Sequence, residues 1–73
     1  MKPGDLVKNK SGSPRNLWGP GPGGARVGSL EPEELVFITA LHVKTSYAHV
    51  MTTYGNVGWI HVTYLGTIQE GIQ

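Results

Sequence analysis

The residues of this chain that could do chemistry are few, and most lie between positions 47 and 64: Tyr47, His49, Trp59, His61 and Tyr64. Two imidazoles facing each other across a hairpin could ligate a metal at ordinary distances, and two nearby imidazoles also resist double protonation. His49 and His61 are only two ligands, however, and His42 falls on a different strand, so no metal set is expected. The chain has no Cys, which removes thiol nucleophiles, thiolate metal sites and disulfides together. No Ser stands in a nucleophile-elbow context. Asp5 and the cluster Glu31, Glu33 and Glu34 make no acid/base pair. Gly21 to Gly24 lacks the Lys-Ser/Thr and the strand–loop–helix setting of a phosphate loop. The expectation is a non-enzymatic chain without cofactor or metal. The chemistry that remains is surface chemistry, in which flat amphipathic side chains hold a partner.

The elements that must position these side chains come from a short sequence. At 73 residues with no Cys, it reads as one domain, 1–73, near the lower limit of size at which a core holds a chain folded. A formal net charge of +1 makes no electrostatic case for a polyanion or a membrane surface. Lys2, Lys8, Lys10, Arg15 and Arg26 do gather in the first third, with the glutamate cluster after them, which reads as solvated loops of mixed charge. No apolar run reaches membrane-spanning length. The opening Met-Lys-Pro-Gly-Asp has no apolar core of a signal peptide, so a cytoplasmic location is expected.

Residues Gly4 to Lys8 read as a first strand with Leu6 or Val7 inward. From Asn9 to Ser29 the chain is rich in Gly, Pro and Ser, and 9–29 is expected to be one long loop, since Pro lacks an amide donor and Gly is costly to order. Trp18 either docks that loop on the body or meets a ligand. Leu35 to Val43 is rich in β-branched, aromatic and large aliphatic residues. It puts Val36, Ile38 and Ala40 on one face and Phe37, Leu41 and Val43 on the other, so it is either covered twice or curved by a bulge. Tyr47 to Thr53, Val57 to Val62 and Leu65 to Ile68 follow as strands, with a tight corner at Thr63-Tyr64. No helical period exists beyond one turn at Glu31–Glu34. The prediction is an all-β barrel of five strands.

The hairpin turn decides which residues share a face. A two-residue Gly55-Asn56 turn pairs Val50 with His61. A three-residue Tyr54-Gly55-Asn56 loop pairs Val50 with Ile60 and Ala48 with Val62, matches apolar partners, and puts Asn56 in the left-handed region. The second is adopted. It makes Ala48, Val50, Ile60 and Val62 the core face. Tyr47, His49, Met51, Trp59 and His61 form the outer stripe, with His49 opposite His61.

The segment Gly58-Trp59-Ile60-His61-Val62-Thr63-Tyr64-Leu65 resembles the carboxy-terminal motif of bacterial SH3 domains, and is similar to the Gly-aromatic-Ile-Pro-x-x-Tyr-Val segment of eukaryotic ones. Lys2-Pro3-Gly4-Asp5-Leu6-Val7 resembles the first strand of short SH3-like proteins, including phage-encoded ones. The resemblance covers residues 2–8 and 47–68 and implies a small five-stranded SH3-like barrel with a long Gly/Pro-rich loop after its first strand. It implies that Trp59, His61 and Tyr64 are groove residues, with Tyr47 near the groove tryptophan, and that Ile60 and Leu65 are core. The groove proline is His61 here and the Ala-Leu-Tyr-Asp-Tyr segment is absent, which tells against proline-rich ligands held by an acidic pocket.

The expected function is a protein-binding or assembly module, a phage or prokaryotic accessory protein in the cytoplasm or in a virion. Trp59, His61, Tyr64, Tyr47 and Trp18 are its partner-binding residues. The partner is a protein or peptide, or a second copy on the apolar outer face. The alternative is a small barrel binding single-stranded nucleic acid through Lys8, Lys10, Arg15 and Arg26, with Tyr47 and Trp59 as stacking platforms.

Overall fold

The computed structural model describes residues 1–19 and 24–68. They form an all-β chain of seven strands: β1 (Leu6–Asn9), β2 (Arg15–Trp18), β3 (Arg26–Leu30), β4 (Leu35–His42), β5 (Tyr47–Thr52), β6 (Val57–His61) and β7 (Leu65–Thr67). A single 3-10 turn, Val62–Tyr64, makes the corner between β6 and β7. All strands join one antiparallel sheet in the order β3-β2-β6-β5-β4-β1-β7, with β3 and β7 as its two edges.

One face of every strand is buried. Val7, Leu17, Leu30, Val36, Ile38, Ala48, Val50, Ile60 and Leu65 form a single cluster, with Leu41, Val62 and Tyr64 packed against it. No second layer exists among the described residues to cover that face, so the sheet coils over its own apolar side, with β3 and β7 remaining its two open edges. A bulge assists the coiling. Register in β4 shifts between Ile38 and Ala40, leaving Thr39 unpaired. Before the bulge Val36 and Ile38 point inward; after it Leu41, opposite Ala48, takes the inward side. Leu41 therefore leaves the face expected for it beside Phe37.

The stretch 9–29 is not one loop. It contains β2 and β3, paired from Arg15↔Leu30 to Trp18↔Arg26, with Gly19 N–H donating to Ala25 O at 2.8 Å across the tip. Strand formation wins because Leu17 and Leu30 each bury a whole side chain in the core, which outweighs the poor strand propensity around them. The reading of Gly21 to Gly24 falls on 20–23 for all but Gly24, outside the described residues. The strand count is thus seven rather than five.

Asn9 pins this hairpin. It is fully buried. Its Nδ2 donates to Ser13 O, Leu30 O and Glu31 O at 2.9, 3.0 and 3.2 Å, so one of its two protons is shared. Its Oδ1 accepts from Ser11 N–H and Ser11 Oγ–H at 3.0 and 2.6 Å. Its backbone accepts from Glu33 N–H and donates to Glu34 O. One side chain therefore satisfies polar groups at both ends of the β2–β3 hairpin. Gly58 sets how closely the hairpin packs. A Cβ there would lie 2.8 Å from Leu17 Cβ, 3.1 Å from Val27 and 3.3 Å from Trp18 O.

Asn9→Ala should cost at least about 2 kcal/mol, because several buried partners lose their bonds at once, while exposed Asn16→Ala should stay within about 0.5 kcal/mol. Urea unfolding of the two variants measures the contrast; equal midpoints would overturn the pinning role. Ile60→Ala should cost roughly 2–4 kcal/mol by opening a core cavity, read the same way.

Candidate functional site

The outward face of the sheet collects the aromatic residues. Thr52 N–H donates to Asn56 O at 2.8 Å, and Gly55 N–H donates to Thr52 O at 3.0 Å. Gly55, with φ of +89°, occupies the left-handed position, where a glycine lacks the Cβ penalty. The loop is thus Thr53-Tyr54-Gly55, and β6 sits two residues from its expected register: Met51↔Val57, His49↔Trp59 and Tyr47↔His61. A shift of two keeps every side chain on its expected face but changes every partner. His49 therefore faces Trp59, and His61 faces Tyr47. The His49–His61 opposition is corrected, and among the described residues no group of three or more His, Cys, Asp or Glu could hold a metal.

The 52/56 rung is hydrogen-bonded, so antiparallel alternation makes 51/57, 49/59 and 47/61 the open rungs, where side chains approach most closely. The rings follow: His49 and Trp59 meet edge-on at 5.1 Å between centroids, and Tyr47 and His61 at 5.2 Å. Tyr64 extends the second pair, 6.4 Å from His61. The corner holding Tyr64 is fixed twice. Val62 N–H donates to Ser46 O at 2.9 Å, and Thr63 N–H donates to His61 Nδ1 at 3.2 Å. Because Nδ1 accepts, the imidazole proton resides on Nε2, which leaves a donor at the outer edge.

Trp18 pairs with Trp59 where β2 meets β6, on the same outward face, and is 38% exposed. Of the five residues expected at the site, Trp59, His61, Tyr47 and Trp18 share the outward face, and Tyr64, which also packs against the core cluster, adjoins them at the corner beside His61. His49 joins them. Arg15 touches the ridge only through Tyr64: its guanidinium carbon lies 4.2 Å from the centre of that ring, although Arg15 itself, opposite Leu30 and in phase with Leu17, stands on the core-facing side of β2. Beside the ridge runs an apolar row, Leu6–Phe37–Met51–Val57, that crosses β1, β4, β5 and β6 as direct partners, each residue between 39% and 47% exposed. Met51 was expected on this face; Leu6, Phe37 and Val57 become its neighbours only through strand order, which the sequence does not spell out.

Arg26 faces Trp18 directly across β2 and β3, while two of the lysines are held in ion pairs. Lys2 pairs with Asp5 at 2.8 Å and Lys8 with Glu33 at 2.6 Å. Hydrogen bonds from the Lys2 side chain and amide hold the Asp5 carboxyl below its ordinary range. Among the described residues no helix is long and apolar enough to cross a membrane. No family model matches this chain, and neither a curated protein nor a solved structure does.

The register is open to a direct test. Met51→Cys with Val57→Cys places two thiols on an open rung of a chain that has no other Cys, and should oxidise fully to a disulfide without loss of fold. Met51→Cys with Trp59→Cys, the pairing that a Tyr54-Gly55-Asn56 loop would give, should stay reduced under the same conditions. Free thiol content by mass spectrometry decides between them.

Proposed function

We propose that this chain is a non-enzymatic protein-binding module, that Trp18, Tyr47, Trp59, His61 and Tyr64 form its partner surface, and that its coiled sheet is of the SH3-like kind. The ridge carries the reading. Its rings are ordered against one another, and Tyr47, His61 and Trp59 stand on the side of the sheet away from the core cluster, which Tyr64 touches. Aromatic side chains that are held in place and still reachable lose little entropy when a partner covers them.

Features of the fold support the SH3-like part: a hairpin inserted after the first strand, a 3-10 corner between the last two strands, and a last strand that returns to the first. The assembly or accessory role rests on the same features, since a small sheet with an open outer face has little room for a substrate pocket. Single-stranded nucleic acid is less well supported. Lys2 and Lys8 are engaged with carboxylates, and the arginines that meet rings, Arg15 at Tyr64 and Arg26 opposite Trp18, are single charges rather than a continuous basic stripe.

Panning a random peptide library on the immobilised full chain should enrich peptides that Trp59→Ala no longer retains. That variant should keep most of its thermal stability, as truncation of an exposed aromatic hot spot does. His61→Ala should cost about 1 kcal/mol more, because it removes the acceptor for Thr63 N–H. The reading falls if no peptide is enriched. It falls equally if Trp59→Ala unfolds the chain, or if oligo-dT binds at low micromolar concentration with steep salt dependence.

A further inference from the structure

We propose that the segment bound along the ridge carries a carboxylate, which docks on Arg15 at one end while an aromatic or aliphatic side chain lies on Tyr47 and Trp59. This inference rests on the partner-surface reading and specifies the partner's chemistry.

Arg15 is held as a receptor would be. Its guanidinium lies over the Tyr64 ring at 4.2 Å. Its Nε–H donates to Ser11 Oγ at 3.0 Å, and Ser11 Oγ–H donates to the buried Asn9 Oδ1 at 2.6 Å. Stacking and the Nε bond fix the plane of the group, so the side-chain entropy of Arg15 is largely lost before any ligand arrives. The two Nη groups have no partner among the described residues. A planar pair of donors matches the two oxygens of a carboxylate.

Three of the four described carboxylates are engaged elsewhere. Asp5 accepts from Lys2, Glu33 from Lys8, and Glu34 from Glu31 N–H. Glu31 stands in the same turn as Glu33 and Glu34. Glu31, one residue beyond the Leu30 that faces Arg15, forms no ion pair with it among the described residues, so the Nη groups stand as unpaired positive charge beside the Tyr64 ring. An acidic group complements that surface; a basic one opposes it.

The geometry also sets a spacing. Steps of 4.2, 6.4 and 5.2 Å lead from the Arg15 guanidinium over Tyr64 and His61 to Tyr47. An extended segment advancing about 3.3 Å per residue covers that path in roughly four to five residues. A polyanion would present a charge at every step along it and meet uncharged rings after the first. A peptide with one acid and one apolar anchor fits both ends.

The test compares peptides selected from one random library on the wild-type chain, on Arg15→Gln and on Arg15→Lys, each first checked for an unchanged thermal transition. Wild-type selections should carry Asp or Glu about three to five positions from an aromatic or aliphatic residue. Arg15→Gln should lose the acidic position and keep the apolar one; Arg15→Lys should keep both with weaker retention. In a synthetic copy of the best peptide, changing the acid to its amide should weaken binding about tenfold on wild type and by less than about twofold on Arg15→Gln. Selections without an acidic position, or an acidic preference that survives in Arg15→Gln, would overturn the inference and leave the partner surface intact. Failure to select any peptide would instead remove the partner surface, and this inference with it.

Discussion

The buried side chain of Asn9 is the interaction on which the two parts of this molecule depend. A seven-stranded sheet with no second layer among the described residues hides its apolar face by coiling, and the β2–β3 hairpin supplies Leu17 and Leu30 to the buried cluster. The hairpin leaves the body just after β1 and returns just before β4. Asn9 sits between those two points and bonds to Ser11, Ser13, Leu30 and Glu31. An apolar residue there would leave those groups desolvated and unpaired, which costs more than the burial of one amide. With the hairpin in place, Leu17 and Leu30 complete the core, and Gly58 lets Leu17 approach within contact of β6.

The outer face follows from the same alternation of buried and exposed positions. Alternation requires that residues flanking the inward Ala48, Val50, Gly58 and Ile60 point outward, and in this chain those residues are Tyr47, His49, Met51, Val57, Trp59 and His61. Their ring pairs form on the open rungs because side chains lie closest there. The β2–β3 hairpin then brings Trp18 beside Trp59 and Arg15 over Tyr64. The element that seals the core thus also completes the ridge.

Much of this was legible in the sequence because it depends on parity alone. The all-β class, the strands Tyr47–Thr52 and Val57–His61, the corner after them and the two faces of the hairpin follow from period-two patterning, which a register slip of two residues leaves untouched. The partners were not legible, because they depend on which residue takes the left-handed turn position. Gly55 takes it in preference to Asn56, and His49 loses His61 as its neighbour. The β2–β3 hairpin was obscured for a different reason. Its apolar residues Leu17, Val27 and Leu30 are few, a register shift at Leu17/Trp18 breaks their alternation, and the surrounding Gly and Pro residues dominate any local reading. Asn9 looked like loop punctuation, since nothing local distinguishes an exposed Asn from one that five partners enclose.

The placement of Arg15 joins these two levels. Asn9 holds Ser11, Ser11 holds the Nε of Arg15, and Arg15 covers Tyr64. The group that organises the fold is therefore two hydrogen bonds away from the cation stacked on the Tyr64 ring. A surface arginine ordinarily spends its flexibility when it binds, which is why isolated surface ion pairs contribute little. Here the flexibility is already spent in folding, at the expense of a network that must exist in any case to hold the hairpin. Such an arrangement favours selectivity over raw affinity, because a ligand gains from the cation only if its acid reaches a group that does not move to meet it.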